Sequence, residues 1–285
     1  MRLATVRLGD DPGATRAVVD VADGLADLGT PDVGALLEDP DWRSTVLRAA
    51  SSRITLFDPA TVTFAPVVPR PSKLVCVGLN YRAHIEEMGR DLPDHPTLFA
   101  KWADTLVGPE DPIVLPPETT QFDYEVELAV VIGSPARRAR GAEAESAIGG
   151  FSVFNDVTCR DWQFRTREWL QGKNWQATSP LGPWLVTPDE LPGGVRPAVP
   201  VSLSVNGGVR QADSTRDLVF DPVALVEYVS TMVALAPGDV IATGTPGGVG
   251  HATTPPTYLS DGDVITAEIE GVGQQRNVVR AEANG

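Results

Sequence analysis

Cysteine, histidine, positive charge and long apolar runs are all scarce in this chain. There are two cysteines, Cys76 and Cys159, far apart and in no CxxC pair, which argues against a disulfide scaffold and fits a reduced, cytoplasmic setting. Lysine and arginine number 23 against 38 acidic residues, for a formal net charge of -15. Such a surface repels phosphate backbones and excludes nucleic acid as an expected partner, while serving solubility. No run approaches the ~18 apolar residues that span a bilayer. The N-terminal MRLATVRLGDDPG has neither an apolar signal core nor transit-peptide character, so a soluble protein with no membrane partner is expected. The glycine-rich GTPGGVG at 244–250 matches neither GxGxxG nor a P-loop and reads as a tight loop lining a pocket.

Hydrophobic residues make up 42% of the 285, enough for a sizeable core, while 27 glycines and 25 prolines favour turns and short strands over long helices. Residues 1–70 read as a small α+β module. RLATVRL and GATRAVVDVADG suggest a hairpin around a DPG turn, DVGALLEDPDWRSTVLRAA one or two short helices, and ITLFDPATVTFAPVVPRP an extended exit. A linker near 66–72 then leads into a larger unit, 71–285. Strands are expected at 74–78, 125–132, 151–155, 201–205, 239–243 and 263–269. Helices are expected over YRAHIEEMG, ending at Gly89, over DWQFRTREWL, and over DPVALVEYVSTMVAL with Asp221 as cap and Pro222 in the first turn. Two turn-plus-strand segments, LAPGDVIATG and LSDGDVITAEIEG, suit a β-rich roll or barrel. Helices do not alternate regularly with the strands, which excludes a doubly wound parallel sheet.

The informative stretch is FDYEVELAVVIG, residues 122–133. It reads as a strand, yet it contains Glu125 and Glu127 with Asp123 just before. Positions i and i+2 share one face of a strand, so the two carboxylates project side by side, Cα atoms roughly 6.6 Å apart. The opposite face carries Val126 and Leu128. Either this is a solvated face at a sheet edge, or a divalent cation such as Mg²⁺, Ca²⁺ or Mn²⁺ offsets the repulsion. A third acid, Asp156 in GFSVFNDVTCRDWQ, ends another apolar run and serves either as a turn residue or as a further ligand. Asp161 is a weaker alternative. In GLNYRAHIEEMG, His84 and Glu87 are i and i+3 on a helix. They form either an exposed pair or a carboxylate-oriented base.

Five segments taken together resemble the fumarylacetoacetate hydrolase superfamily: GLNYRAHIEEMG, FDYEVELAVVIG, FNDVTCRDWQ, QGKNWQATSPLGPWLVTPDEL and LAPGDVIATGTPGGVG, in the family's order across roughly 71–271. The resemblance is to an acylpyruvase or fumarylpyruvate hydrolase-like member. It implies an α+β, β-rich fold, with a mixed β-sandwich roll as catalytic domain, and a homodimer. It carries metal ligation to Glu125, Glu127 and Asp156, with Mg²⁺ or Mn²⁺ as cofactor, and a water-activating dyad to His84 and Glu87. Substrate contact falls on Gln163, Lys173 and Thr245. Arg160 either joins them or pairs with Asp161. Cys159 stands where the family often has alanine, with no consequence expected.

The implied substrate is a small 2-keto acid. In a 2,4-dioxo acid the metal would hold the 2-keto and carboxylate oxygens. Water activated by His84 would attack the distal carbonyl, and Lys173 would steady the pyruvate enolate left by C–C cleavage. Oxaloacetate decarboxylation and hydroxymuconate-type isomerisation use the same enolate, so the scaffold leaves them open. A non-catalytic carboxylate-binding protein is disfavoured because His84, Glu87 and Lys173 are all present. Trp102 and Trp175 are candidates for shaping the distal pocket, or for ordinary aromatic packing.

Overall fold

The computed structural model describes residues 1–9, 13–52, 56–87 and 91–283, leaving the side chains of His84 and Glu87 outside the description. Two sheets dominate. The larger has 11 strands; its central order runs Arg2–Arg7, Trp184–Val186, Ile148–Asn155, Val126–Ile132, Val240–Ala242, Leu74–Gly78 and Thr97–Lys101. Neighbours are antiparallel except Val240–Ala242 against Leu74–Gly78. The smaller sheet, of five strands, runs Gly208–Ser214, Pro200–Val205, Val264–Ile269, Gly273–Ala281 and Ile113–Leu115. The fold is β-rich, as the sequence suggested.

Every residue of Val126–Ile132 is buried, and its two faces enter different clusters. Val126, Leu128, Val130 and Ile132 pack toward Val201, Leu203, Ile265 and Ala267 of the smaller sheet. Ala129 and Val131 pack with Leu36, Leu37 and Trp42 of the N-terminal helices Val33–Leu37 and Trp42–Ser52. A strand buried on both faces cannot be a solvated edge, which removes the bland reading of Glu125 and Glu127. Their face is charged only at its N-terminal end and turns apolar from Ala129 onward.

The N-terminal strands join the large sheet edge-on, Arg2–Arg7 pairing with Trp184–Val186. The expected hairpin is Arg2–Arg7 with Thr15–Val21; residues 10–12 of its turn lie outside the described residues. Helix Pro222–Met232 begins as its sequence suggests: the Asp221 carboxylate accepts from the Ala224 N–H at 2.9 Å and Pro222 occupies the first turn. Helix Arg82–Glu87 is present, but its expected end at Gly89 is outside the described residues.

The expected helix over DWQFRTREWL is not continuous. It breaks into single turns, Arg160–Gln163 and Leu170–Lys173. The ends explain the break. Arg160 and Lys173 both reach Glu125. The two turns fold back on each other, and a Cβ on Gly172 would lie 2.5 Å from the Gln163 backbone. A straight helix of this length would carry its two ends apart.

Candidate metal and catalytic site

The N-terminal end of Val126–Ile132 and the C-terminal end of Ile148–Asn155 lie side by side, with Val126 opposite Asn155. This register brings Glu125, Glu127 and Asp156 together. One carboxylate oxygen from each lies within 4.8 Å of the others, and all three residues are buried. The backbone is tied down around them. Asn155 Oδ1 accepts from the Glu125 N–H at 2.9 Å, and the Asp156 N–H donates to the Glu125 carbonyl at 2.8 Å. Gln211 Oε1 accepts from the Val126 N–H at 3.0 Å.

Three cations surround the acids. Lys173 Nζ donates to Glu125 Oε2 at 2.8 Å and Asp156 Oδ2 at 2.7 Å, and it sits 5.0 Å from the Phe99 ring centre. Lys101 Nζ lies 2.7 Å from Asp156 Oδ1 and donates to the Val157 carbonyl at 2.9 Å. Arg160 spans two carboxylates, Nε donating to Asp123 Oδ2 at 2.8 Å and Nη2 lying 2.7 Å from Glu125 Oε1. Its expected alternative partner, Asp161, instead accepts from the Thr119 hydroxyl and the Thr120 N–H. Successive residues on a helical turn diverge, so Arg160 pairs with Asp123 and Glu125 and not with Asp161.

Asp123 is the anchor of this network. It accepts from the N–H groups of Tyr124, Gly250 and His251 as well as from Arg160. Glu127 has the poorest compensation: the Gly244 N–H donates to its Oε2 at 2.8 Å, and no cation pairs with it among the described residues. Gly244 adopts φ +95°, and a Cβ there would lie 2.9 Å from the Val77 carbonyl, so only glycine presents this N–H. Burial, then Asp156 and Glu125, push the Glu127 carboxyl well above its ordinary range. Burial also opposes ionisation of Asp156, but Lys101 and Lys173 more than offset it and hold that carboxyl low. For Lys173 burial works against the charge, and Asp156 and Glu125 overcome it, so the ammonium is held above its usual value.

Among the described residues, four carboxylates (Asp123, Glu125, Glu127, Asp156) thus face three cations (Lys101, Arg160, Lys173), with Glu127 the member that no cation pairs with. A buried all-oxygen donor set with surplus negative charge fits a hard divalent cation.

The site opens into a cavity of about 200 Å³. Its walls include Glu125, Glu127, Arg160, Gln163, Lys173 and Thr245, together with Phe99, Phe164, Trp169 and His251. Six of the nine residues expected for the site therefore line one cavity, and Asp156 completes the carboxylate cluster behind it. The remaining two, His84 and Glu87, sit on helix Arg82–Glu87 with side chains outside the description. Thr245 is a wall residue whose hydroxyl is already engaged, donating to the Val126 carbonyl and accepting from Gln211 Nε2. Trp102 and Trp175 do not line this cavity. Trp102 is 55% exposed, and Trp175 packs edge-on against Trp162 at 4.9 Å. Their expected place is taken by Trp169 and Phe164.

Lys101 and Asp123 were not expected in the site. A lysine closing the apolar run TLFA and an aspartate heading a buried strand were the available signals. A larger hollow of about 550 Å³, lined among others by His95, Arg140 and Tyr228, is separate and holds no carboxylate cluster among the described residues.

Comparison with known proteins agrees with this geometry. Residues 73–280 match the family described as Fumarylacetoacetate (FAA) hydrolase C-terminal. A curated relative, Oxaloacetate tautomerase FAHD2A, mitochondrial, of Bos taurus, is 40% identical over 275 residues, covering 95% of this chain and 86% of the relative. The solved fumarylacetoacetate hydrolase of Exiguobacterium antarcticum superposes with a TM-score of 0.82 at 33% identity, covering 99% of this chain and 100% of that one. Maleylpyruvate hydrolase of Sphingobium sp. SYK-6, solved with manganese(II) and pyruvate, gives a TM-score of 0.81 at 28% identity, with 99% and 100% covered. The chain belongs to the fumarylacetoacetate hydrolase family.

Proposed function

We propose that this protein is a divalent-metal-dependent enzyme that interconverts the keto and enol forms of a short 2-oxo diacid of the oxaloacetate class. The observation that carries the reading is the buried Glu125–Glu127–Asp156 cluster opening into a small cavity, with the Lys173 ammonium on two of its members. The choice of reaction draws on similarity: 40% identity to an oxaloacetate tautomerase along 95% of the chain outweighs 28% identity to a maleylpyruvate hydrolase.

Glu125, Glu127 and Asp156 would hold Mg²⁺ or Mn²⁺, which when bound supplies a Lewis acid for a 2-oxo group. The chain's own residues account for the rest. Transfer of a C3 proton to a base, for which the H-x-x-E pair on helix Arg82–Glu87 is the candidate, moves negative charge onto the C2 oxygen, which then takes a proton back to give the enol, and Lys173 offers a fixed positive charge at the cavity wall. Its raised proton affinity keeps it an ammonium, so it stabilises charge and is not the base. Gln163 Oε1 accepts from Arg160 Nη1 at 2.9 Å, which leaves the Gln163 amide NH₂ as a donor for a substrate oxygen. Arg160 is spent on Asp123 and Glu125 and acts through them. Phe99, Phe164 and Trp169 make an apolar wall that lowers the local dielectric and strengthens these contacts.

The test is the Mg²⁺-dependent relaxation of freshly dissolved oxaloacetate, followed by enol absorbance, in wild type and Lys173→Met. Loss of one charge-stabilising donor costs about 10²–10³-fold in rate. Relaxation at the buffer rate with wild type under every divalent metal would sink the reading.

C–C hydrolysis of 2,4-dioxo acids to pyruvate and a carboxylic acid is the second reading. It is favoured by the manganese–pyruvate neighbour and by the H-x-x-E pair on helix Arg82–Glu87. Pyruvate release from acetylpyruvate or fumarylpyruvate, lost in His84→Ala, would put hydrolysis first. Release of CO₂ from oxaloacetate would instead favour a decarboxylase. The expectations of a homodimer and a small N-terminal domain over 1–70 rest on family resemblance and sequence pattern, and that of a cytoplasmic location on the two free, buried cysteines. Light scattering, limited proteolysis and imaging of the tagged protein test them. No helix among the described residues is long and apolar enough to cross a membrane.

A further inference from the structure

Part of the cavity wall is made by Val249, His251 and Ala252, in the loop that follows Gly244. The His251 ring is held from two sides. Its Nδ1 lies 2.9 Å from Tyr258 Oη, and the ring tilts against Phe164 with centres 5.2 Å apart. The His251 backbone N–H donates to Asp123 Oδ2 at 3.0 Å, the oxygen that also accepts from Arg160 Nε. One shared acceptor therefore ties this loop to the carboxylate centre.

The tie to Tyr258 links the ring's tautomer to what its other nitrogen offers. When the Tyr258 hydroxyl donates to Nδ1, the ring proton of a neutral imidazole sits on Nε2. Nε2 has no hydrogen-bond partner among the described residues, and the half-buried His251 stands on the cavity wall. Burial and the Arg160 charge hold the imidazole below its ordinary value, so near neutral pH it is uncharged, and in the tautomer with Tyr258 donating it presents Nε2–H as a donor. The mechanism above gives this group no task. Phe164, 57% exposed, lies against the ring and helps fix its orientation.

We infer that His251, oriented by Tyr258, is a specificity-determining residue of this cavity. Its Nε2–H meets the hydrogen-bond acceptor on the far end of a 2-oxo acid whose other end lies at the carboxylate centre. It thereby selects a distal carboxylate over a methyl group. This deepens the proposed function and rests on it for the substrate class, and the test below separates the two.

The direct probe is a matched pair of non-reacting acids. Malate and lactate share a 2-hydroxy acid head and differ by the distal carboxylate. Their dissociation constants are measured calorimetrically with Mg²⁺ for wild type, His251→Leu, His251→Gln and Tyr258→Phe. Wild type binds malate more tightly than lactate. His251→Leu weakens malate by about tenfold, as expected for a hydrogen bond to a charged group, and leaves lactate within about twofold. His251→Gln, which keeps a donor, recovers part of the loss, and Tyr258→Phe falls between. On oxaloacetate the leucine variant raises KM by a similar factor with kcat within about threefold.

Equal weakening of both acids, or no preference for malate in wild type, overturns the assignment. A malate-selective loss in His251→Leu without oxaloacetate tautomerisation by wild type upholds the distal contact while removing the reaction. Thermal melts of each variant separate an unfolded chain from a lost contact.

Discussion

Replacing Lys101 with methionine would remove one cation from the site while keeping a stem of similar length. The Lys101 side chain is 0% exposed, and its Nζ faces two acceptors, Asp156 Oδ1 at 2.7 Å and the Val157 carbonyl at 2.9 Å. Methionine donates to neither. Deleting one partner of a buried ion pair costs about 3–5 kcal/mol, because the other charge stays buried. Asp156 keeps Lys173 at 2.7 Å, so the lower end applies, about 3 kcal/mol. At roughly 2–4 °C per kcal/mol for a chain of this size, the metal-free melting temperature should fall by about 6–12 °C. Differential scanning calorimetry in chelator reads this directly. The same reasoning makes the loss conditional on the partner charge. Asp156→Asn removes that charge, so Lys101→Met should cost less on the Asp156→Asn background than on wild type. A melting point within about 2 °C of wild type, or strict additivity in the cycle, would refute the reasoning.

Gly172→Ala should both destabilise and inactivate. A Cβ at Gly172 would come within 2.5 Å of the Gln163 N and Cα, and relief of that clash would move Lys173, the next residue. Overpacking of this kind costs about 1–3 kcal/mol, and a normal melt with normal turnover would contradict it. Cys76 and Cys159 should be silent to thiol reagents in the native state. Both are 0% exposed, and burial pushes both thiols up, Cys159 to about 12. The thiolate forms only as pH rises toward that value, so mass spectrometry should show labelling at about pH 8 only after unfolding; rapid native labelling would count against the buried placement.

What was legible in the sequence is what local periodicity carries. Alternation across EVELAVVI gave the strand and put Glu125 and Glu127 on one face; Asp221-Pro222 marked the start of a helix. What was not legible depends on contacts between distant segments. Arg160 reads from the sequence as a substrate contact or as a partner of Asp161, because nothing there indicates that Asp123, 37 residues earlier, would be brought beside it. Lys101 reaches the site because Thr97–Lys101 ends at the edge of the large sheet, and only the strand order reveals that. The interrupted helix over DWQFRTREWL has good local helical character. It breaks because Arg160 and Lys173 converge on Glu125, a tertiary demand that overrides propensity. The same break sets Trp169 and Phe164 on the cavity wall in place of Trp102 and Trp175.

The central claim is that Glu125, Glu127 and Asp156 form one divalent-cation site. The most direct measurement is a Mn²⁺ titration followed by the electron paramagnetic resonance of the free ion, in wild type, Glu127→Gln and a surface control, Glu268→Gln. The account predicts one ion per chain for wild type and for the control. Glu127→Gln should remain folded by circular dichroism with affinity reduced by about tenfold or more, since it loses the ligand charge that no cation pairs with among the described residues. Unchanged Mn²⁺ binding in Glu127→Gln, or none in wild type, would contradict it.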